Sequence, residues 1–212
     1  MSDLLIPYVI RQGDHMVGLA HRRGFDADEL WNHQRNGDLR QRRSSMHVLC
    51  PGDVLYVPDA PRRTELSLVA GTNNKFAARP PHMTITVKFQ MGGEPIANEA
   101  CTIAELPHLR ELATGSDGVL TFETPVTLET ATVQFQNLPF RYHLQIGHLD
   151  PADTRSGLVQ RLRHLGFLRP QPDSEDAIRS AVVAFQRAHM TSLATGTLDD
   201  TTLAAIVNRH GS

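Results

Sequence analysis

Lysine is almost missing from this chain of 212 residues: Lys75 and Lys88 are its only two, and arginine supplies the rest of the positive charge. The formal net charge is −2, and no long block of one sign occurs. A general basic field of the kind that holds nucleic acid is thereby excluded. Cysteine is nearly as scarce, with Cys50 and Cys101 alone and no CxxC pair, so a sequence-level zinc or redox motif is absent and two buried or partly buried thiols are expected. No apolar run approaches the roughly 18 residues that cross a bilayer, and no membrane span is expected. The opening "MSDLLIPYVIRQGD" lacks a basic stretch, a long apolar core and a cleavage site. The expectation is a chain that is cytoplasmic as synthesised and that reaches a periplasm or a target cell only by a non-Sec route.

What is present reads as globular. Apolar residues make up 40% and charged residues 21% of the chain, a balance that supports packed cores. The length allows one large domain or two to three small ones. Residues 5–59 alternate between strand and helix patterns. "PYVI" is β-forming, Met16, Leu19 and Ala20 recur at helical spacing until Gly24, and Asp26 stands in capping-box spacing to Glu29. Pro51-Gly52 turns into a second strand at Val54–Val57. Residues 60–81 read as a linker, with "TELSLVAG" as a further candidate strand. Residues 82–149 hold short alternating segments, "MTITVKFQ", "VLTF", "ATVQFQN" and "RYHLQIGHL", separated by Gly and Asp-Gly turns. Residues 150–212 carry three amphipathic patterns: Leu158, Leu162 and Leu165; Ile178, Ala181, Val182 and Phe185; Leu203, Ile206 and Val207. The expected fold class is α+β and multi-domain: a βααβ module at 5–59, a linker at 60–81, a small antiparallel β-sandwich at 82–149 and a three-helix bundle at 150–212.

The stretch "YVIRQGDHMVGLAHRRGFDADELW…LCPGDVLYVP" resembles the LysM family, through Tyr8, Val9, Gly13, Asp14, Ala20, Leu30, Leu49, Pro51, Gly52, Leu55, Val57 and Pro58. "LVQRLRHLGF", "AVVAFQRAHM" and "TGTLDDTTLAAI" resemble the peptidoglycan-binding domain that is a three-helix bundle, with Phe185-Gln186, Thr195-Gly196, Asp199 and Thr202 carrying the likeness. The middle segment resembles a transthyretin-like sandwich in outline. The whole arrangement resembles accessory proteins of type VI secretion and related contractile systems. These resemblances imply binding of peptidoglycan or another N-acetylglucosamine-containing glycan, with a secretion-system spike or effector protein as a further partner. Two features depart from the families. The segment "RNGDLRQRRSSMHVLC" is longer than the usual second loop, and "PQPDSEDAI" replaces an Asp-Gly turn.

A glycan groove needs backbone amides and carbonyls for an N-acetyl group and apolar surface for its methyl. Gly13, Asp14, His15 and Met16 on one loop, with Met46, His47, Val48 and Leu49 on the other, are the candidate glycan-binding residues. A plainer reading makes Gly13-Asp14 a turn and a cap for the first helix. No catalytic residue, metal ligand or cofactor is assigned. The eleven histidines form no HxxxH or HExxH pattern, and His143, His148 and Asp150 lack an evident further ligand. No GxSxG occurs, and Glu94, Glu99 and Glu105 read as solvated acids. Arg40, Arg42 and Arg43 fit either a solvated loop or an acidic partner, and Trp31 fits a core position better than a sugar platform. Three functions stay open: a non-enzymatic glycan-binding protein, an adaptor, chaperone or spike/effector-binding protein, and a cell-wall hydrolase.

Overall fold

A computed structural model describes residues 4–43, 45–59, 66–76, 80–169, 174–191 and 194–211. The fold is α+β, with helices and several small antiparallel sheets. The chain divides into two compact units: residues 1–84, 123–130 and 145–148 form the first, and residues 85–122, 131–144 and 149–212 the second.

The first unit opens with β1 (Leu5–Val9), α1 (Met16–Arg23) and α2 (Ala27–Asn32). A 3₁₀ turn at Gln34–Asn36, α3 (Gly37–Arg42) and β2 (Val54–Pro58) complete it. β1 and β2 pair antiparallel, Leu5 opposite Pro58 and Val9 opposite Val54. Two strands alone are marginal in water, and the helices supply the core: Ile10, Met16, Leu19, Leu30, Leu39, Leu49, Leu55 and Val57 are buried together. Trp31 packs against this cluster, as a core position requires. Gly24 ends α1 in the left-handed region at φ 71°, where an L side chain is disfavoured. Asp26 caps α2 by accepting from the amides of Asp28 and Glu29.

The stretch expected as one long loop is partly helical. α3 forms within it because Leu39 is drawn into the core and Asn36, itself buried, fixes the turn before it. Asn36 Nδ2 donates to the carbonyls of Leu30 and Tyr56, and its Oδ1 accepts from the Tyr56 amide at 2.7 Å. One side chain thereby ties helix to strand. Asp53 does the same for the return into β2. Its carboxylate takes the Arg43 guanidinium at 2.8 and 3.0 Å and the Cys50 amide at 2.9 Å. Burial pushes this carboxyl up, but Arg43, the Cys50 amide and Arg42 outweigh it and hold it below the usual carboxylate range. The "RQRRSS" run is thus partly committed to structure, and Arg40 also donates to the Trp31 carbonyl. Ser44 lies outside the described residues, as do residues 60–65 of the expected linker and of "TELSLVAG". The described part of that candidate strand, residues 66–71, forms no strand. Asn74 instead bridges the amide and carbonyl of Val69, an Asn-stabilised turn.

β3 (His82–Lys88) pairs with β8 (Val119–Pro125), and β4 (Gln90–Met91) with β5 (Glu94–Pro95). A four-stranded sheet runs in the order β10 (Arg141–Gln145), β9 (Thr130–Phe135), β6 (Ala100–Ile103), β7 (Leu112–Ala113). β3, β8, β9 and β10 each coincide with an alternating segment of the sequence. In the second unit Phe89, Phe135 and Tyr142 meet edge to face with centroids 5.0 to 5.7 Å apart, the geometry their ring quadrupoles favour. Two of the three acids expected to be solvated hold backbone here: Glu105 accepts from Thr132, and Glu99 from Asn137.

α4 (Arg155–His164), α5 (Glu175–His189) and α6 (Asp200–His210) bury Leu158, Val159, Leu162, Leu168, Ile178, Ala181, Val182, Phe185 and Ile206 in one cluster. Thr154, Ser174 and Asp199 cap the three N-termini. Gly157, in the first turn of α4, allows a close approach: a Cβ there would overlap the Pro151 carbonyl oxygen and lie 2.6 Å from that of Asp150. Arg161 is buried below it and donates to the carbonyls of Asp150 and Gly157.

Candidate functional site

The eight candidate residues divide sharply by exposure. Met16, Leu49 and Asp14 are buried, the first two as members of the core. Met46 packs against that core. Gly13, His15 and Val48 are half-buried, and His47 is exposed. Sequence reading could not separate them, because both loops cross the boundary between core and surface.

Asp14 neither caps α1 nor offers a free carboxylate. Its Oδ2 accepts from the Tyr8 hydroxyl at 2.8 Å and the Arg11 amide at 2.9 Å, and Oδ1 pairs with Arg22 at 2.6 Å. The cap is His15, whose Nδ1 accepts from the Gly18 amide at 3.2 Å. That bond places the imidazole proton on Nε2. Burial, then Arg22 and His47, push the His15 ring below its ordinary range, with Asp14 opposing them, so the ring is neutral at pH 7. Gly18 makes this possible: a Cβ there would lie 2.8 Å from His15 Nε2. Met46 of the second loop packs on the core cluster that contains Met16 of the first, so the two loops expected to flank a ligand border one core.

The Gly13 side of the same loop is taken. Residues 126–129 and 145–148, part of the first unit, stand against it. A Cβ on Gly13 would lie 2.9 Å from His148 Nε2, and one on Gly147 would lie 2.7 Å from the Gly13 carbonyl oxygen. Gln12 Nε2 donates to the His148 carbonyl at 2.9 Å, and the Ile146 amide donates to the Glu129 carbonyl. A cleft of about 120 Å³ remains, lined by Gly13, His15, Gly18, Arg22, Glu129 and Ile146 among others. It is well under the roughly 300 Å³ of an ordinary ligand pocket. Nothing local in the sequence marks residues 126–129 and 145–148 as neighbours of Gly13, since the pairing spans more than a hundred residues.

The residues singled out near the C-terminus come together as well. Gln186 Oε1 accepts from the Gly196 amide at 2.9 Å, and its Nε2 donates to the Thr197 carbonyl and the Thr202 hydroxyl. Gly196 sits at φ +73°, and a Cβ there would meet Arg179 and Val183 at 2.8 and 2.9 Å. Gln186 and Thr202 are buried, so the pattern Phe185-Gln186…Thr195-Gly196…Thr202 is a structural tie. The second unit also holds a groove of about 350 Å³ beside β7, lined by Cys101, Pro107, Arg110, Leu112 and Gln136 among others. Burial and Glu99 push the Cys101 thiol up, which disfavours the nucleophilic thiolate.

Among the described residues, no group of three or more His, Cys, Asp or Glu is placed to hold a metal ion. His143 contacts the Thr132 hydroxyl, and His148 stands over Gly13. Among the described residues, no helix is long and apolar enough to cross a membrane. Comparison of the chain with protein-family models, with curated proteins and with solved structures finds no match.

Proposed function

We propose that the chain is a non-catalytic binding protein that holds an N-acetylglucosamine-containing glycan such as peptidoglycan, as an accessory of a type VI-like contractile secretion system. The observation that supports this reading is the packing of Met46, on the second candidate loop, against the core cluster that holds Met16 and Leu49, so that both loops border one core. Met46 and Val48 are partly exposed, giving apolar surface for an acetyl methyl, and the ring nitrogens of His15 and His47 exchange hydrogen bonds with sugar hydroxyls. Such a site is weak by itself. A second weak site on the same polymer, at the C-terminal helices, raises retention through effective concentration.

Sedimentation with purified insoluble peptidoglycan tests the proposal. The full chain is expected in the pellet at modest salt, and the doubly substituted His47→Ala, Val48→Asp chain is expected to be depleted from it. Full recovery of the unsubstituted chain in the supernatant rejects glycan binding.

One observation favours a second reading, an adaptor or spike/effector-binding protein. Leu66, Leu68, Val69 and Phe76 are each exposed in the segment around the Asn74 turn, and exposed large apolar side chains this close in sequence suit a protein contact. Co-purification with a spike or effector protein, without retention on glycan, would select this alternative.

A further inference from the structure

We infer that the site grips a glycan at a chain end or as a short fragment, and that Gly147 and His148 determine this specificity by closing the site at Gly13. The inference rests on the glycan-binding reading above. Its ground is steric. The backbone of Gly147 and the ring of His148 stand so close to Gly13 that neither glycine has room for a methyl group, so that side of the loop is filled by the protein's own chain.

The closure is built in. The Ile146 amide is held by the Glu129 carbonyl, the Val126 amide by the Pro81 carbonyl, and His148 by Gln12. Gly147 reaches its place at φ +78°, a conformation glycine adopts at no steric cost. The cleft beside the closure, lined by Gly13, His15 and Ile146 among others, is about 120 Å³, smaller than an ordinary ligand pocket. The candidate residues left to a ligand are His15, Met46, His47 and Val48, which are half-buried or exposed. A strand passing straight through would need the Gly13 side open. A strand that stops at His15 does not.

The test compares soluble N-acetylglucosamine oligomers of increasing length by calorimetry, on the full chain and on its Gln12→Ala, His148→Ala double variant, with thermal melts to confirm that both are folded. The full chain is expected to bind short and long oligomers with dissociation constants within about threefold, since a closed site gains no contact from added sugars. Its retention on insoluble peptidoglycan should rise when a glycan hydrolase has cut the strands and multiplied their ends. The double variant, opened at Gly13, should gain affinity with length, on the order of tenfold between the shortest and longest oligomers. An affinity that climbs with length in the unsubstituted chain overturns the inference while leaving glycan binding intact. A double variant that behaves like the unsubstituted chain overturns the role of His148. Binding to no oligomer and to no peptidoglycan, in either protein, overturns the underlying reading and this inference with it.

Discussion

Two groups of turn ties, one in each unit, differ in chemistry. In the first, ionised groups hold the loops: Asp53 with Arg43, and Asp14 with Arg22, Tyr8 and the Arg11 amide. In the second, a neutral amide does the comparable work, Gln186 joining Gly196, Thr197 and Thr202. Ionised ties are strong when complete and costly when halved, whereas a neutral tie leaves only unsatisfied dipoles behind. The first group should therefore be the more sensitive to single substitutions and, through Asp53, to strong acid.

The largest effect is expected at Asp53. Its side chain is 3% exposed and that of Arg43 12%, so Asp53→Ala strands a mostly buried guanidinium and should cost about 3–5 kcal/mol. Trp31, the sole tryptophan and packed on this core, reports the loss as a lowered urea midpoint in fluorescence. The same carboxylate predicts acid sensitivity. Its folded pKa is depressed, so its contribution is complete above the unfolded value of about 3.9 and disappears as pH falls through the folded value.

Gln186→Ala should come next, at about 2–3 kcal/mol, because it leaves the Gly196 amide and Thr202 short of partners inside the core. Urea unfolding followed by helical circular dichroism measures it, and the loss should hardly change between pH 7 and 4. A pH dependence as steep as that of Asp53 would break the contrast between the two groups of ties.

Much of this was legible in the sequence. The caps at Asp26 and Asp199, the stop at Gly24 and the apolar faces of α4 and α5 follow from residue type and spacing, because each depends on neighbours within one or two turns. The Gln186 group was visible only as a pattern, and its meaning as a hydrogen-bond tie needed the geometry. Three features stayed hidden for identifiable reasons. Asp14 looked like the cap of α1, but Tyr8, Arg11 and Arg22 claim its oxygens and the role passes one residue along to His15. α3 has a single buried anchor, Leu39, in a polar stretch, too little for an amphipathic period. The closure at Gly13 joins residues distant in the chain, which no local pattern encodes.

The cap supplies a smaller test. His15→Ala removes the acceptor for the Gly18 amide and should cost about 1 kcal/mol, read as a lowered thermal midpoint. The smallest effect is expected from a histidine pair in the second unit. His164 and His210 share a hydrogen bond of 2.9 Å. Burial, His164 and Arg161 push His210 down to about 4, and burial and Arg161 lower His164. Both rings stay neutral in the folded chain while the unfolded chain takes up protons below about pH 6.5. Stability from this source is complete above that pH and declines as pH falls toward the folded values. Thermal midpoints between pH 7 and 5 should therefore slope downward with acid, and His210→Asn should flatten the slope. An unchanged slope would assign it to other groups.

Gly157 has a consequence for how α4 is placed along its own sequence. The helix begins against the turn that precedes it, with clearance for a hydrogen atom and nothing larger. Sliding the chain by one position would bring Ser156 or Leu158 under the Pro151 carbonyl, and neither fits. The frame of the whole helix, and with it which of its side chains face inward, is locked at a single point where the chain carries no side chain at all.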